Sequence, residues 1–200
     1  MIDEPAIISA AQKGDLPAFN QLVLNHQTLA YNVAYRILGD PDLAADATQD
    51  AFIKAYKALH TFHGGAFRPW LLRIVTNTCY DYLRAKKRKP ASSLEDAYDS
   101  GEHELRFRDP TDGPETYAER RELNRAIQSS IAQLGVDQRA VVVLVDVQGF
   151  SYEEAASILN VSLGTVKSRL SRARARLRDI LQEYQELLPA RYRSSIRENA

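Results

Sequence analysis

The sequence predicts an all-α protein built as two small helical domains joined by a flexible acidic linker. Three observations carry this. Before residue 90, apolar residues recur at helical spacing between helix start and stop signals. From Ala91 to about Pro114 the chain is rich in Ser, Asp, Glu, Gly and Pro and has no apolar period, as a solvated tether would. Beyond it, a Ser-capped short helix, a tight turn and a long basic helix follow one another in the order of a helix-turn-helix. The expected boundaries are 1–90, the linker 91–114, a second domain 115–188 and a frayed tail 189–200.

Four helices are expected in the first domain. Asp3 precedes Pro5, which a first helical turn tolerates, and Gly14 stops that helix. Asp15 caps a long helix to Gly39, with Phe19, Leu22, Val23, Leu29, Val33 and Ile37 on its apolar side. Asp40-Pro41 repeats the start signal for a third helix, which runs to about His60. It has two unlike faces. Phe52, Tyr56 and Leu59 suit the core, whereas Asp46, Asp50, Lys54 and Lys57 are polar, with Gln49 and Ile53 at the border. Acids early and lysines late also suit the helix dipole, so on these residues alone a plain solvated face is the favoured reading. A loop with Phe62, His63, Gly64 and Gly65 leads to a fourth helix starting near Pro69. There Trp70, Leu71, Ile74, Val75 and Thr78 form a core stripe, opposite Arg73, Asn77, Tyr80, Asp81 and Arg84. An aromatic and a basic group on a glycine loop suit an unstacked base, although a simple inter-helix turn has the same composition.

In the second domain, helices are expected over about Tyr117–Leu134 and Asp137–Gln148. The valine run within the latter has strand propensity, but Gly149 ends it as a helix C-cap would. Ser151 and Glu154 form a capping box for a helix to Leu159, Asn160-Val161 makes the turn, and Ser162 caps a final helix to about Leu188, stopped by Pro189. Projected at 100° per residue, Val166, Leu170, Ala173 and Leu177 of this helix share the buried sector. Gly164, Ser168, Arg172 and Ala175 lie opposite. Lys167, Ser171, Arg174 and Arg178 flank one side, and Thr165, Arg169 and Arg176 the other. A mostly small centre with cationic shoulders fits a major groove and its two phosphate walls.

Composition narrows the function. The chain has 200 residues and formal net charge +0, yet its charges are segregated. From 61 to 90 seven basic residues face Asp81 alone, and from 161 to 181 six face Asp179 alone, which suggests two phosphate-facing surfaces. Cys79 is the only cysteine, so no internal disulfide or multi-cysteine zinc site is expected. No second histidine or carboxylate stands at ligand spacing from His63, so neither a metal nor a cofactor is expected. No signal segment or membrane span is legible, and a cytoplasmic protein is expected.

Together these segments resemble the extracytoplasmic-function sigma factors, the minimal branch of the sigma-70 family. The stretch Asp46-Ala47-Thr48-Gln49-Asp50-Ala51-Phe52-Ile53-Lys54-Ala55-Tyr56 is similar to the family's core-polymerase-binding helix. Phe67-Arg68-Pro69-Trp70-Leu71-Leu72-Arg73, with Asn77 and Asp81-Tyr82-Leu83-Arg84, is similar to its minus-10 helix. Gly149 to Ala156 and Gly164 to Arg174 are similar to its minus-35 reader. The resemblance covers about residues 10–90 and 115–182. It implies sigma region 2 in the first domain and sigma region 4 in the second.

The implied function is transcription initiation without a chemical step. The implied contacts to core RNA polymerase are Asp46, Gln49, Asp50 and Ile53, on the β′ clamp helices, with the second domain on the β flap. The implied minus-10 contacts are Phe62, His63, Gly64, Arg73, Asn77, Arg84 and Lys86. The implied minus-35 contacts are Thr165, Lys167, Ser168, Arg169, Arg172, Arg174 and Arg176, with Ser168 and Arg172 reading base edges. An anti-sigma inhibitor is a further implied partner. Two features depart from the family pattern: Gly135-Val136 stands where Leu-Pro is usual, and the tail carries Arg191, Tyr192, Arg193 and Arg197 without a counterpart. The competing readings are a helix-turn-helix regulator that acts without joining polymerase and a DNA-processing enzyme. The second would need a carboxylate cluster that Asp46 and Asp50 alone do not supply.

Overall fold

A computed structural model describes residues 3–88 and 114–182, with side chains from residue 123 onward in the second stretch. The linker expectation lies outside the described residues except for Pro114, and so do the tail and the last turns expected of the final helix. Every described element is helical: α1 (Glu4–Gln12), α2 (Leu16–Leu38), α3 (Pro41–Ala58), a 3₁₀ turn (Leu59–Thr61), α4 (Phe67–Arg88), α5 (Pro114–Ala132), α6 (Val136–Val142), α7 (Tyr152–Leu159) and α8 (Leu163–Gln182).

The first three helices start by one device. Asp3, Asp15 and Asp40 each accept a hydrogen bond from a backbone N–H of the next turn, and a proline sits within the first two helical positions. This satisfies donors that no intrahelical carbonyl reaches. Gly39 ends α2 at φ +75°, a conformation that favours glycine. In the second half, Ser151 and Glu154 form the expected capping box, and Asn160 makes the turn between α7 and α8 in the left-handed region. Gly135 starts α6 without a side-chain cap.

Helix α2 is the centre of the N-terminal half and packs on α1, α3 and α4. The side of α3 that faces this core is a row of alanines (Ala44, Ala47, Ala51, Ala55) with Phe52 beside them. Small side chains bring α3 close, and Leu22, Val33, Ile37, Leu71, Leu72 and Val75 fill the space between the helices. Truncating one of the fully buried leucines to alanine would cost about 2–5 kcal/mol. Helix α1 is tied to α2 by a 2.6 Å contact between His26 and Glu4.

In the C-terminal half the residues from Arg139 to Leu144 are all buried. The valine run is helical, as Gly149 suggested, but it widens into a π-helical stretch at Val143–Val147 instead of continuing as an α-helix. From Arg139 to Leu144 it is covered by α8 on one side and by α2 on another, so that part shows no amphipathic stripe, whereas Asp146 and Val147 are exposed. The two halves are not held apart. Helix α2 touches α5 and α6, α4 packs on α7, and the apolar core is continuous from one half to the other.

Candidate partner and nucleic-acid interfaces

Three surfaces carry the residues singled out from the sequence. The first lies on α3. Asp46, Gln49, Asp50 and Ile53 follow helical spacing and form one strip on its outer side, with Ile53 45% exposed. Gln49 and Ile53 border an open groove of about 510 Å³ between α2 and α3, whose walls include Leu16, Phe19, Val23 and Tyr56. Asp46 and Asp50 lie toward α4. There Tyr82 donates a 2.8 Å hydrogen bond to Asp50. Burial, that bond and the Asp50 and Asp46 charges push the Tyr82 phenol up to about 12. Tyr56 corrects the sequence reading: it was expected in the core, but it is 40% exposed and packs edge-on against Phe19 at the groove. Leu16, 55% exposed, belongs to this surface and was missed. Its signal was an apolar residue placed just after a cap, outside the α2 stripe.

The second surface is the loop after α3 and the start of α4. Gly64 and Gly65 take φ values of +97° and +92° with open space around both, so it is the backbone conformation that calls for glycine. Next to them His63 is exposed, and Arg73 and Asn77 are exposed one helical turn apart on α4. Phe62 corrects a second expectation. Its ring is 7% exposed and packs against Phe67 and Trp70 at centroid distances of 5.8 and 5.3 Å. It anchors the loop from below and offers no free face to a base. Gln12 of α1, also missed, holds the loop from the other side. Its side-chain amide donates to the carbonyls of Leu59 and Phe62 at 3.0 and 2.7 Å. Further along α4, Arg84 pairs with Asp81 at 3.3 Å, and Lys86 is exposed.

The third surface is α8. Val166, Leu170 and Ala173 are buried as expected, Leu177 is half-buried, and Ile180 extends the stripe. Ser162 caps the helix by accepting from the Thr165 N–H at 3.1 Å. Lys167, Ser168, Arg172 and Arg176 are exposed, Thr165 is half-buried, and the Arg172 Nε donates to its own helix at the Ser168 carbonyl. The two remaining cations of the implied contact set are held in ion pairs within the chain. Arg169 pairs with Asp137 at 2.7 Å. Arg174 makes two hydrogen bonds to Asp146, at 3.1 and 2.6 Å, and these raise its pKa above the usual arginine value. The free cationic face is therefore narrower than the sequence projection drew it.

Among the described residues no group of His, Cys, Asp and Glu stands close enough to hold a metal ion, and no helix is long and apolar enough to cross a membrane. Cys79 is fully buried, and burial pushes its thiol up to about 12.

Comparison with known proteins bears on all three surfaces. A family model described as Sigma-70 region 2 matches residues 22–89, and one described as Sigma-70, region 4 matches residues 124–177. The chain is 36% identical to the ECF RNA polymerase sigma factor SigE of Mycolicibacterium smegmatis, over 91% of this chain and 70% of that one. It is 38% identical to the RNA polymerase sigma-H factor of Pseudomonas aeruginosa, over 88% and 92% of the two chains. It is likewise 38% identical to the ECF RNA polymerase sigma-E factor of Escherichia coli strain K12, over 86% and 91%. Among solved structures, CnrH in complex with the cytosolic domain of CnrY aligns with a TM-score of 0.62 and 32% identity, over 89% and 96% of the chains. The sigma factor RpoE of Bartonella quintana, in complex with the anti-sigma factor NepR, aligns with a TM-score of 0.60 and 26% identity, over 82% and 96%. With a region 2 match across the α2–α4 surfaces and a region 4 match across α8, the chain belongs to the extracytoplasmic-function branch of the sigma-70 RNA polymerase factors.

Proposed function

We propose that the three surfaces divide the work of a promoter-specificity factor. The α3 strip and its neighbouring groove dock on the β′ clamp helices of core RNA polymerase. The glycine loop and α4 hold the minus-10 strand once it unpairs, with His63, Gly64, Arg73 and Asn77 nearest the base and Arg84 and Lys86 along the backbone. The exposed face of α8 enters the minus-35 major groove, where Ser168 and Arg172 read base edges and Thr165, Lys167 and Arg176 meet phosphate. The C-terminal half sits on the β flap. No covalent step is involved. Melting follows from preferential binding of single-stranded over duplex DNA, which shifts the equilibrium between them. The factor works in the cytoplasm, where polymerase and promoter are found, and an anti-sigma protein restrains it, as NepR is bound to RpoE in the Bartonella quintana complex.

The observation that carries this reading is the α3 surface. Asp46, Gln49, Asp50 and Ile53 form one strip beside an apolar groove open to solvent, and Ile53 and Tyr56 stay exposed although the fold has a core to bury them. Monomeric proteins rarely leave such a patch uncovered without a partner. The test replaces Ile53 by Asp and, separately, Asp50 by Arg. Losing a side chain of this size from an interface costs about 1.5–3 kcal/mol, so Ile53→Asp should weaken core polymerase binding by roughly 10- to 100-fold with little change in the chain's melting temperature. Unchanged affinity in both variants would show that polymerase docks elsewhere.

A further inference from the structure

We propose that α4 keeps the Asp50 carboxylate oriented and unpaired for a cationic side chain of core polymerase: Tyr82 holds it from the α4 side, while Asp81 draws its nearest cation, Lys54, away. The inference deepens the docking assignment above and rests on it. It makes Tyr82 and Asp81 positioning residues for polymerase, although neither belongs to the docking strip.

By spacing, Asp50 should pair with Lys54. The two stand one turn apart on α3 with the acid nearer the N-terminus, the order in which such a pair stabilises a helix. The structure gives Lys54 other partners, both on α4. Its ammonium donates to the Thr78 hydroxyl at 3.1 Å and to the Asp81 carboxylate at 3.4 Å. Thr78 donates its own hydrogen to the Ile74 carbonyl at 2.9 Å, so its lone pairs are left to accept from Lys54. Asp81 uses its second oxygen for Arg84 at 3.3 Å, and two cations therefore meet its charge. Asp50 receives a neutral donor instead. The Tyr82 hydroxyl bonds one of its oxygens at 2.8 Å. Among the described residues no cation pairs with Asp50, or with Asp46 one turn before it.

The difference between the two acids has a physical consequence. A cation would cancel the charge of Asp50. A phenol fixes one oxygen and leaves the charge and the other oxygen available to a partner. Two unpaired acids one turn apart also repel each other, and the helix would relieve this if Lys54 turned back toward Asp50. The fold keeps the repulsion, and it does so beside the apolar groove that Gln49 and Ile53 border. Asp50 and Tyr82 are both half-buried, where a charge is screened less by salt than at the open surface. A carboxylate already set in place costs less to order on binding than one free to rotate. A guanidinium or ammonium arriving from polymerase therefore meets an uncancelled charge in a fixed direction. The seam between α3 and α4 serves docking through residues that lie on the helix assigned to DNA.

The test titrates the full chain, labelled at its N-terminus, with sigma-free core polymerase in the absence of DNA. Tyr82→Phe should weaken binding by roughly 2- to 10-fold, the ordering cost of one side chain. Asp81→Asn lets Lys54 turn back to Asp50 and should weaken binding by roughly 2- to 5-fold, the range of an exposed ion pair. Adding Lys54→Met to Asp81→Asn should restore the affinity of Lys54→Met alone, because no cation is then left to occupy the acid. In an Asp50→Ala background neither Tyr82→Phe nor Asp81→Asn should have a further effect, which separates orientation of the acid from packing of α4 on α3. Thermal melts show that each variant is folded. Wild-type affinity in Tyr82→Phe or in Asp81→Asn would overturn the inference, and so would losses that persist without Asp50. Wild-type affinity in Asp50→Ala is a different failure: it removes the docking assignment, and this inference with it.

Discussion

Replacing Gln12 by Ala should damage promoter opening without damaging polymerase binding. The side-chain amide of Gln12 makes two hydrogen bonds, to the Leu59 and Phe62 carbonyls, at 3.0 and 2.7 Å. Each such bond contributes a net ~1 kcal/mol, with the lower end of that range favoured at a partly exposed site. Together they hold the loop start with about 1–2 kcal/mol. Phe62 anchors the loop start from below, but no neighbour lies within 4 Å of where a Cβ on Gly64 or Gly65 would sit, so the glycines gain no packing on that side. Losing the bonds frees the loop to leave the base-accepting shape, and the ordering cost is then met on binding DNA. Open-complex formation should fall by roughly 5- to 30-fold, from the tenfold-per-1.4 kcal/mol relation. Permanganate reactivity of unpaired thymines at a promoter served by the wild-type chain measures it, with core affinity followed in parallel. Wild-type melting by the variant would refute the claim that the loop must be held. A parallel fall in core affinity would mean that Gln12 acts through the whole α1–α2 packing.

Two arginines on α8 should behave differently. Arg172→Ala should lower discrimination between correct and substituted minus-35 sequences by roughly 1–3 kcal/mol, whereas Arg174→Ala, which removes the Asp146 pair, should cost up to about 1 kcal/mol of stability and leave that discrimination unchanged; competition binding with a panel of duplexes, beside thermal melts, separates them. Alkaline pH should destabilise the fold. Burial raises the Cys79 thiol from 9.0, and the Tyr80 and Tyr82 phenols from 10.0, to about 12 in the folded chain. The unfolded chain therefore gives up these protons first, and the stability they contribute is intact below about pH 9 and lost as pH rises toward 12. Urea titrations across that range check it, and a flat profile would contradict the burial of these groups. Cys79 should also resist alkylation in the folded chain and react only as fast as the chain opens.

Much of the fold was legible because its signals are local. Asp marked three helix starts, twice with Pro beside it, Ser151 with Glu154 marked another, and the period of Val166, Leu170 and Ala173 gave the buried side of α8. What was missed depends on partners distant in sequence. Tyr56 looked like core by spacing from Phe52, but the alanines at 44, 47, 51 and 55 form the buried side of α3, and Tyr56 on its outer edge stays exposed. Phe62 looked like an exposed loop aromatic, yet Phe67 and Trp70 enclose it. The ion pairs of Arg169 with Asp137 and Arg174 with Asp146 join residues 32 and 28 positions apart, and no periodicity encodes them. The packing of one half on the other through Arg68, Gln128 and Arg139 is of the same kind. A single sequence shows that a cation is present, not which helix end it meets.

The most direct measurement is transcription reconstituted from the purified chain and sigma-free core RNA polymerase on genomic DNA, with every 5′ end mapped. A factor of this family should yield discrete starts that share two upstream elements, and those starts should vanish with Ile53→Asp. Initiation that is random, or unaffected by adding the chain, would contradict it.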